Sequence, residues 1–140
     1  MKLCNSLILL VIIVGLAGCA GTPREVDPVT GFQVDRYAGK WYEIASYPAW
    51  FQKGCTASTA DYRLLPDGRI QVTNSCRKGS LDGKLKESKG KAEVVDTTTN
   101  AKLKVWFFWP FRGNYWIIDL DPDYQWAVVG DPSRKYLWIL

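Results

Sequence analysis

With 140 residues, a net charge of +4 and no histidine, the chain has room for one domain and lacks the commonest general base, every Ser–His and Cys–His pair and most zinc sites. Hydrophobic residues make up 47%, enough for a core, and seven Trp, seven Tyr and five Phe suit strands and apolar pockets. Lys84, Lys86, Lys102 and Lys104 fall on alternating positions. That spacing reads as solvated strand faces rather than a nucleic-acid stripe, so no nucleic-acid partner is expected.

Met1-Lys2 is followed by the apolar run 7–15, LILLVIIVG. The run is short of the roughly 20 residues that a transmembrane helix needs, and it fits the h-region of a signal peptide. Leu16-Ala17-Gly18-Cys19 resembles a bacterial lipoprotein box. The resemblance implies removal of residues 1–18, lipidation of Cys19 and anchorage in a membrane. Acyl chains contribute about 0.8 kcal/mol per buried methylene, so one chain holds marginally and two hold firmly. Ala20 in place of Asp implies, on the same likeness, the outer membrane, with the domain facing the periplasm. Residues 19–35, with Gly21, Pro23, Pro28 and Gly31, read as a tether.

Eight strand-like runs follow, at 41–47, 56–64, 69–77, 85–95 (interrupted near Gly90), 101–109, 114–120, 125–130 and 136–140. Leu65-Pro66-Asp67-Gly68 supplies turn chemistry between the second and third, and Pro110 stops the fifth. Short strands, regular turns and no amphipathic helix predict an all-β domain over residues 36–140, an eight-stranded antiparallel up-and-down β-barrel. Eight strands close around an interior that holds one small ligand. Of the four cysteines, Cys4 leaves with the signal and Cys19 takes the lipid. Cys55 and Cys76 flank one hairpin, slightly out of register, and an exported protein permits a disulfide between them. A metal pair or redox thiols are the rivals, without a supporting His or Cys-x-x-Cys. No metal and no cofactor are expected.

Gly39-Lys40-Trp41 on the first strand, Asp123-Tyr124 in the turn after the sixth, and Tyr136-Leu137-Trp138-Ile139-Leu140 at the end together resemble the lipocalin family, in its bacterial outer-membrane lipoprotein (Blc-like) branch near apolipoprotein D. The likeness covers residues 35–140. It implies that Gly39 and Trp41 are structural at the closed end of the barrel, and that Asp123 and Tyr124 form a second motif. The family's third motif, an Arg beyond the last strand, has no counterpart before Leu140, so the chain reads as C-terminally short. The implied function is storage or transport of a fatty acid or lysophospholipid. Burying about 300 Å² of acyl chain contributes roughly 7 kcal/mol before entropic losses.

Alternation and the resemblance nominate Trp138 and Tyr115 as ligand-facing, with Val72, Val94 and Ile117 as apolar walls. The run Trp106-Phe107-Phe108-Trp109-Pro110-Phe111 cannot all be buried in one barrel. It reads first as barrel-end packing and second as an apolar patch near the mouth that touches membrane or a partner subunit. Tyr47, Trp50 and Phe51 are placed as an opposing rim. An enzyme is not expected: Glu43 and Asp61 are the only acids near the interior, and no nucleophile–base pair is visible. The alternative is a structural or interaction lipoprotein with a filled barrel and no ligand, for which a homodimer through the outer aromatics is the natural partner.

Overall fold

The computed structural model describes residues 25–140. The predicted signal peptide, Cys19 and the start of the tether lie outside the described residues. The chain forms α1 (Val34–Tyr37), β1 (Gly39–Tyr42), β2 (Ala45–Ser46), a 3-10 turn (Trp50–Gln52), β3 (Cys55–Leu64), β4 (Ile70–Lys78), β5 (Leu85–Val94), β6 (Lys102–Phe108), β7 (Phe111–Leu120), β8 (Ala127–Gly130) and β9 (Leu137–Ile139).

All strand pairs are antiparallel, in the order β1-β3-β4-β5-β6-β7-β8-β9-β2. The two ends of that order are two halves of one segment. β1 pairs with β3, whereas β2 pairs with β9. The switch falls where Glu43 donates its N–H to Ser58 and Ile44 donates to Ile139, at 3.0 and 2.8 Å. Segment 39–46 therefore closes the sheet into a barrel and leaves few free edge groups. This is why nine strands stand where eight are expected: the first run is divided between two neighbours.

Three further differences from expectation exceed a one-residue shift. β5 runs unbroken through Gly90. β7 begins at Phe111, directly after Trp109-Pro110, whose peptide bond is cis. β8 starts two residues late because the Asp121 carboxylate accepts the backbone N–H of both Asp123 and Gln125, at 3.1 and 3.0 Å, and keeps Gln125 in the turn.

A meander alternates its connectors between two ends. Segments 65–69, 95–101 and 121–126 gather at one end, with α1 against them; 47–54, 79–84, 109–110 and 131–136 gather at the other. Buried side chains concentrate at the first end: Phe32, Tyr37, Trp41, Ile70, Leu103 and Ile117 belong to one cluster there. Toward the second end the inner face opens. Asn74 shares that face with Ala60, and Gly113 shares it with Val105, yet both Asn74 and Gly113 are exposed. The barrel is thus a cup, packed in its lower half and accessible above.

Candidate functional site

Strand register assembles the inner wall of the cup. Tyr62, Val72 and Gly90 face one another across β3, β4 and β5; Leu103 and Tyr115 do so across β6 and β7; Val129 and Trp138 across β8 and β9. Gly90 permits a close approach. A Cβ there would lie 2.7 Å from the Phe107 ring and 2.5 Å from the Trp106 carbonyl oxygen. Phe107 therefore lies over β5, on the inner side.

The five nominated wall residues divide by height. Ile117 retains 0% and Val72 2% of its surface. These two are closed in by protein in the packed lower half of the cup. Val94, opposite Leu103, packs against the same cluster. Tyr115 and Trp138 are half-buried.

At mid-height three tyrosines meet. The Tyr115 hydroxyl lies 2.8 Å from that of Tyr37 and 2.7 Å from that of Tyr62. Three hydroxyls carry three protons, and two bonds between them use two. One O–H remains for an acceptor outside the trio; as residues Tyr37 and Tyr62 are buried and Tyr115 is half-buried. Burial raises all three phenols above their ordinary value of 10.0. The Tyr62 charge raises Tyr37 further, and the bonds to Tyr115 partly offset burial at Tyr37 and Tyr62. The trio is a neutral, polar-tipped floor.

A second polar chain crosses the wall higher up. Trp138 Nε1 donates to Gln52 Oε1 at 2.8 Å, and Gln52 Nε2 donates to Glu43 Oε2 at 2.6 Å. Ser46 Oγ donates to the other Glu43 oxygen at 2.7 Å. Glu43 is committed to fastening the 3-10 turn. Asp61 pairs with Lys40 and Thr73 on the opposite face from Trp41 and Tyr62, so it points away from the cup. This corrects its placement near the interior. Among the described residues no group of His, Cys, Asp and Glu is arranged to hold a metal ion. Two grooves, of about 410 and 500 Å³, lie on the outside of the barrel rather than in the cup.

Around the open end, Phe51 packs on Tyr136 and Trp138, with centroids 5.7 and 6.3 Å away, and those two stack at 5.8 Å. The loop that carries Tyr136 is built on Asp131, which accepts the backbone N–H of Ser133 and of Tyr136, each at 3.1 Å. Burial works against that carboxylate, but the Ser133 hydroxyl and the backbone donors outweigh it and hold its pKa below the ordinary value. The Cys55–Cys76 disulfide is present, with Cα atoms 5.4 Å apart. The register slip that it needs is supplied by a β-bulge between Thr56 and Thr59, with Ala57 at φ 51°.

Residues 32–140 match the family model described as a lipocalin-like domain. This chain belongs to the lipocalin family. It is 41% identical to the outer membrane lipoprotein Blc of Vibrio cholerae, over 97% of this chain and 80% of the relative. It is 44% identical to the Blc of Escherichia coli and to temperature-induced lipocalin-1 of Arabidopsis thaliana, in each case over 84% of this chain and 66% of the relative. The chain thus spans about two thirds of the length of these last two. The crystal structure of insecticyanin from the tobacco hornworm Manduca sexta shares the fold, with a TM-score of 0.67 at 22% identity over 85% of this chain and 68% of that one.

Within this lipocalin Gly39, Trp41 and Tyr124 lie at the closed end. Gly39 sits at φ +114°, a conformation that side chains disfavour. Trp41 stacks on Tyr37 at 4.6 Å and donates its Nε1 to the Tyr37 carbonyl at 2.8 Å. Tyr124 accepts the Gln33 N–H at 3.0 Å, and the Arg36 guanidinium lies 4.2 Å from its ring centre. Val29, in the stretch read as tether, donates its N–H to Ile117 at 2.9 Å, and Phe32 packs against Tyr37. Tyr37, Tyr62, Phe107 and Gln52 contact or face these side chains and were not nominated from the sequence. Period-two alternation from Trp41–Ala60 and from Leu103 was the available signal for Tyr62 and Phe107; none existed for Tyr37 or Gln52.

Proposed function

We propose that this lipocalin is a bacterial envelope protein that stores or carries one fatty acid or lysophospholipid in the open half of its barrel. The observation that carries the reading is the wall above the tyrosine floor. Phe107, Tyr115 and Trp138 face inward there from three strands, and they are only partly buried. Such a surface gains by exchanging water for an acyl chain. The spare O–H of the trio offers a single donor to a carboxyl or ester oxygen. Ligand contact is assigned to Trp138, Tyr115 and Phe107, with Val94 lower in the wall.

Family membership, and relatives named as outer membrane lipoproteins, support the remaining features. Residues 1–18 are a signal peptide, Cys19 carries the lipid, residues 19–35 lead to the barrel, and the protein is anchored in the outer membrane facing the periplasm. The protein acts by binding rather than by catalysis.

Organic extracts of the purified protein, analysed by mass spectrometry, test the reading. A defined fatty acid or lysophospholipid in near-stoichiometric amount supports it. Empty extracts, together with no saturable tryptophan quenching by micromolar long-chain fatty acid, would leave the rival reading of a ligandless interaction lipoprotein.

A further inference from the structure

The loops at the open end carry a large exposed apolar surface. Trp50 is 82% exposed, Leu81 70%, Phe108 78%, Trp109 74% and Phe111 77%. They come from three separate connectors that strand order brings to one rim. Two contacts tie neighbouring connectors together, Gly79 donating its N–H to the Gly54 carbonyl at 2.9 Å and Phe51 packing on Tyr136, while strand order places the 109–110 hairpin tip at the same end. Hence barrel-end packing, the first reading of the Trp106–Phe111 run, does not account for it. Phe107 turns inward, Arg112 lies 4.7 Å from the Trp106 ring centre and 5.4 Å from that of Trp109, and Phe108, Trp109 and Phe111 remain exposed at the hairpin tip. Leaving several large side chains in water is costly, and soluble surfaces seldom concentrate them in one place.

The charge at the same end has one prevailing sign. Lys53, Lys78, Lys84, Lys86, Arg134 and Lys135 are exposed on the connectors and strand ends there, against Asp82 and Glu87 as the exposed acids. Aromatic rings ringed by ammonium and guanidinium groups match the headgroup layer of an anionic bilayer, in which rings sit at the polar–apolar boundary and cations meet phosphate. A second copy of this chain would bring cation against cation, which disfavours a symmetric rim-to-rim dimer.

We propose that the open rim docks onto an anionic phospholipid bilayer, seating Trp50, Trp109 and the Phe108–Phe111 hairpin tip at the headgroup boundary with the mouth of the cup against the lipid. This contact is distinct from any acyl anchor. The fold separates the two, because the chain enters the barrel at the opposite, closed end, through Val29 and α1.

The test uses the full chain with vesicles containing phosphatidylglycerol and dibrominated phosphatidylcholine, whose bromines quench tryptophan at the acyl boundary. The first 40 residues contain no Trp, so the signal comes from the barrel. The expected result is quenching that is largely lost in Trp50→Phe/Trp109→Phe, which removes the reporters. It should also be largely lost in Phe108→Ser/Phe111→Ser, which keeps the reporters and removes part of the contact, and be retained in Trp126→Phe at the other end. Far-UV circular dichroism of each variant verifies that the barrel remains. Quenching that disappears in Trp126→Phe but survives both rim variants would overturn the proposal. So would quenching of equal strength in vesicles without phosphatidylglycerol. Absent quenching with a dimer by light scattering would assign the rim to a second copy and overturn it too. Lipid extraction from the cup is read separately, so failure here leaves the carrier reading untouched.

Discussion

The phenolic oxygen of Tyr62 lies 2.7 Å from that of Tyr115, and because Tyr37 reaches the same oxygen from α1 at 2.8 Å, one hydroxyl ties the plug of the barrel to two of its strands. The connection spans 78 residues in sequence between Tyr37 and Tyr115. Its central member is the vulnerable one. Tyr115→Phe removes both bonds and strands the hydroxyls of Tyr37 and Tyr62 in a desolvated site, at a cost of about 1–3 kcal/mol. Tyr62→Phe removes one bond, leaves Tyr37–Tyr115 intact and should cost less. Urea unfolding midpoints of the two variants check the order; equal losses would show that the hydroxyls act independently.

The same trio fixes the alkaline limit of the fold. Burial raises all three phenols in the folded state above the 10.0 of the open chain, and neighbouring phenolate charge adds to this at Tyr37 and Tyr115. A folded pKa above the unfolded one means that the folded state holds its protons longer. The stability contributed is complete below about pH 10 and is lost as pH rises through the folded values. The expected observation is a step of phenolate absorbance that coincides with loss of far-UV circular dichroism above about pH 10. Phenolate appearing from these three residues while the barrel remains intact would contradict it.

The disulfide closes a loop over 21 residues beside the β-bulge at the open end. A chain so constrained when unfolded loses less entropy on folding. Cys76→Ser should therefore lower stability by roughly 3 kcal/mol, and a reducing agent should do the same to the unaltered protein but not to the variant. Denaturant titrations with and without dithiothreitol provide the comparison.

Gly90 yields a packing prediction. An added methyl at this position meets the Trp106 carbonyl and the Phe107 ring at less than contact distance, so β5 and β6 must part or the ring must swing into the cup. Gly90→Ala should cost about 1–3 kcal/mol and weaken binding of long-chain ligands. Adding Phe107→Ala should restore part of the binding and little of the stability, because the backbone conflict with Trp106 persists. Paired fluorescence titrations and thermal melts separate the two effects.

The strand meander was legible because its cause is local. Alternation such as Leu103, Val105 and Phe107 against Lys102 and Lys104 names both the strand and its inner face, and the Pro66-Asp67-Gly68 turn follows from backbone preference. Cys55–Cys76 was legible through its hairpin. Height in the barrel was not: alternation gives Val72 and Ile117 their inward face, but how deeply each is enclosed depends on shear, tilt and what plugs the end. Glu43 and Asp61 look alike as acids in strands. Only register with Lys40 and Thr73 turns Asp61 outward, and only a loop nine residues away fastens Glu43.

That loop contact supplies the last prediction. Gln52 uses both ends of its amide, accepting from Trp138 and donating to Glu43, so it joins the 3-10 turn to β9 and to segment 39–46 at once. Gln52→Glu is nearly isosteric and preserves the acceptor for Trp138, but it replaces the donor with a carboxylate facing the Glu43 oxygens. Two like charges at hydrogen-bond distance cannot both stay ionised without cost. The loss relative to the unaltered protein should be largest at about pH 7 and shrink toward about pH 4, where one carboxyl takes up a proton and bridges the pair. Gln52→Leu loses both bonds and should be destabilised with no such recovery on acidification. Thermal midpoints of the three proteins across this range decide the matter, and a Gln52→Glu deficit independent of pH would mean that Glu43 is not its neighbour in solution.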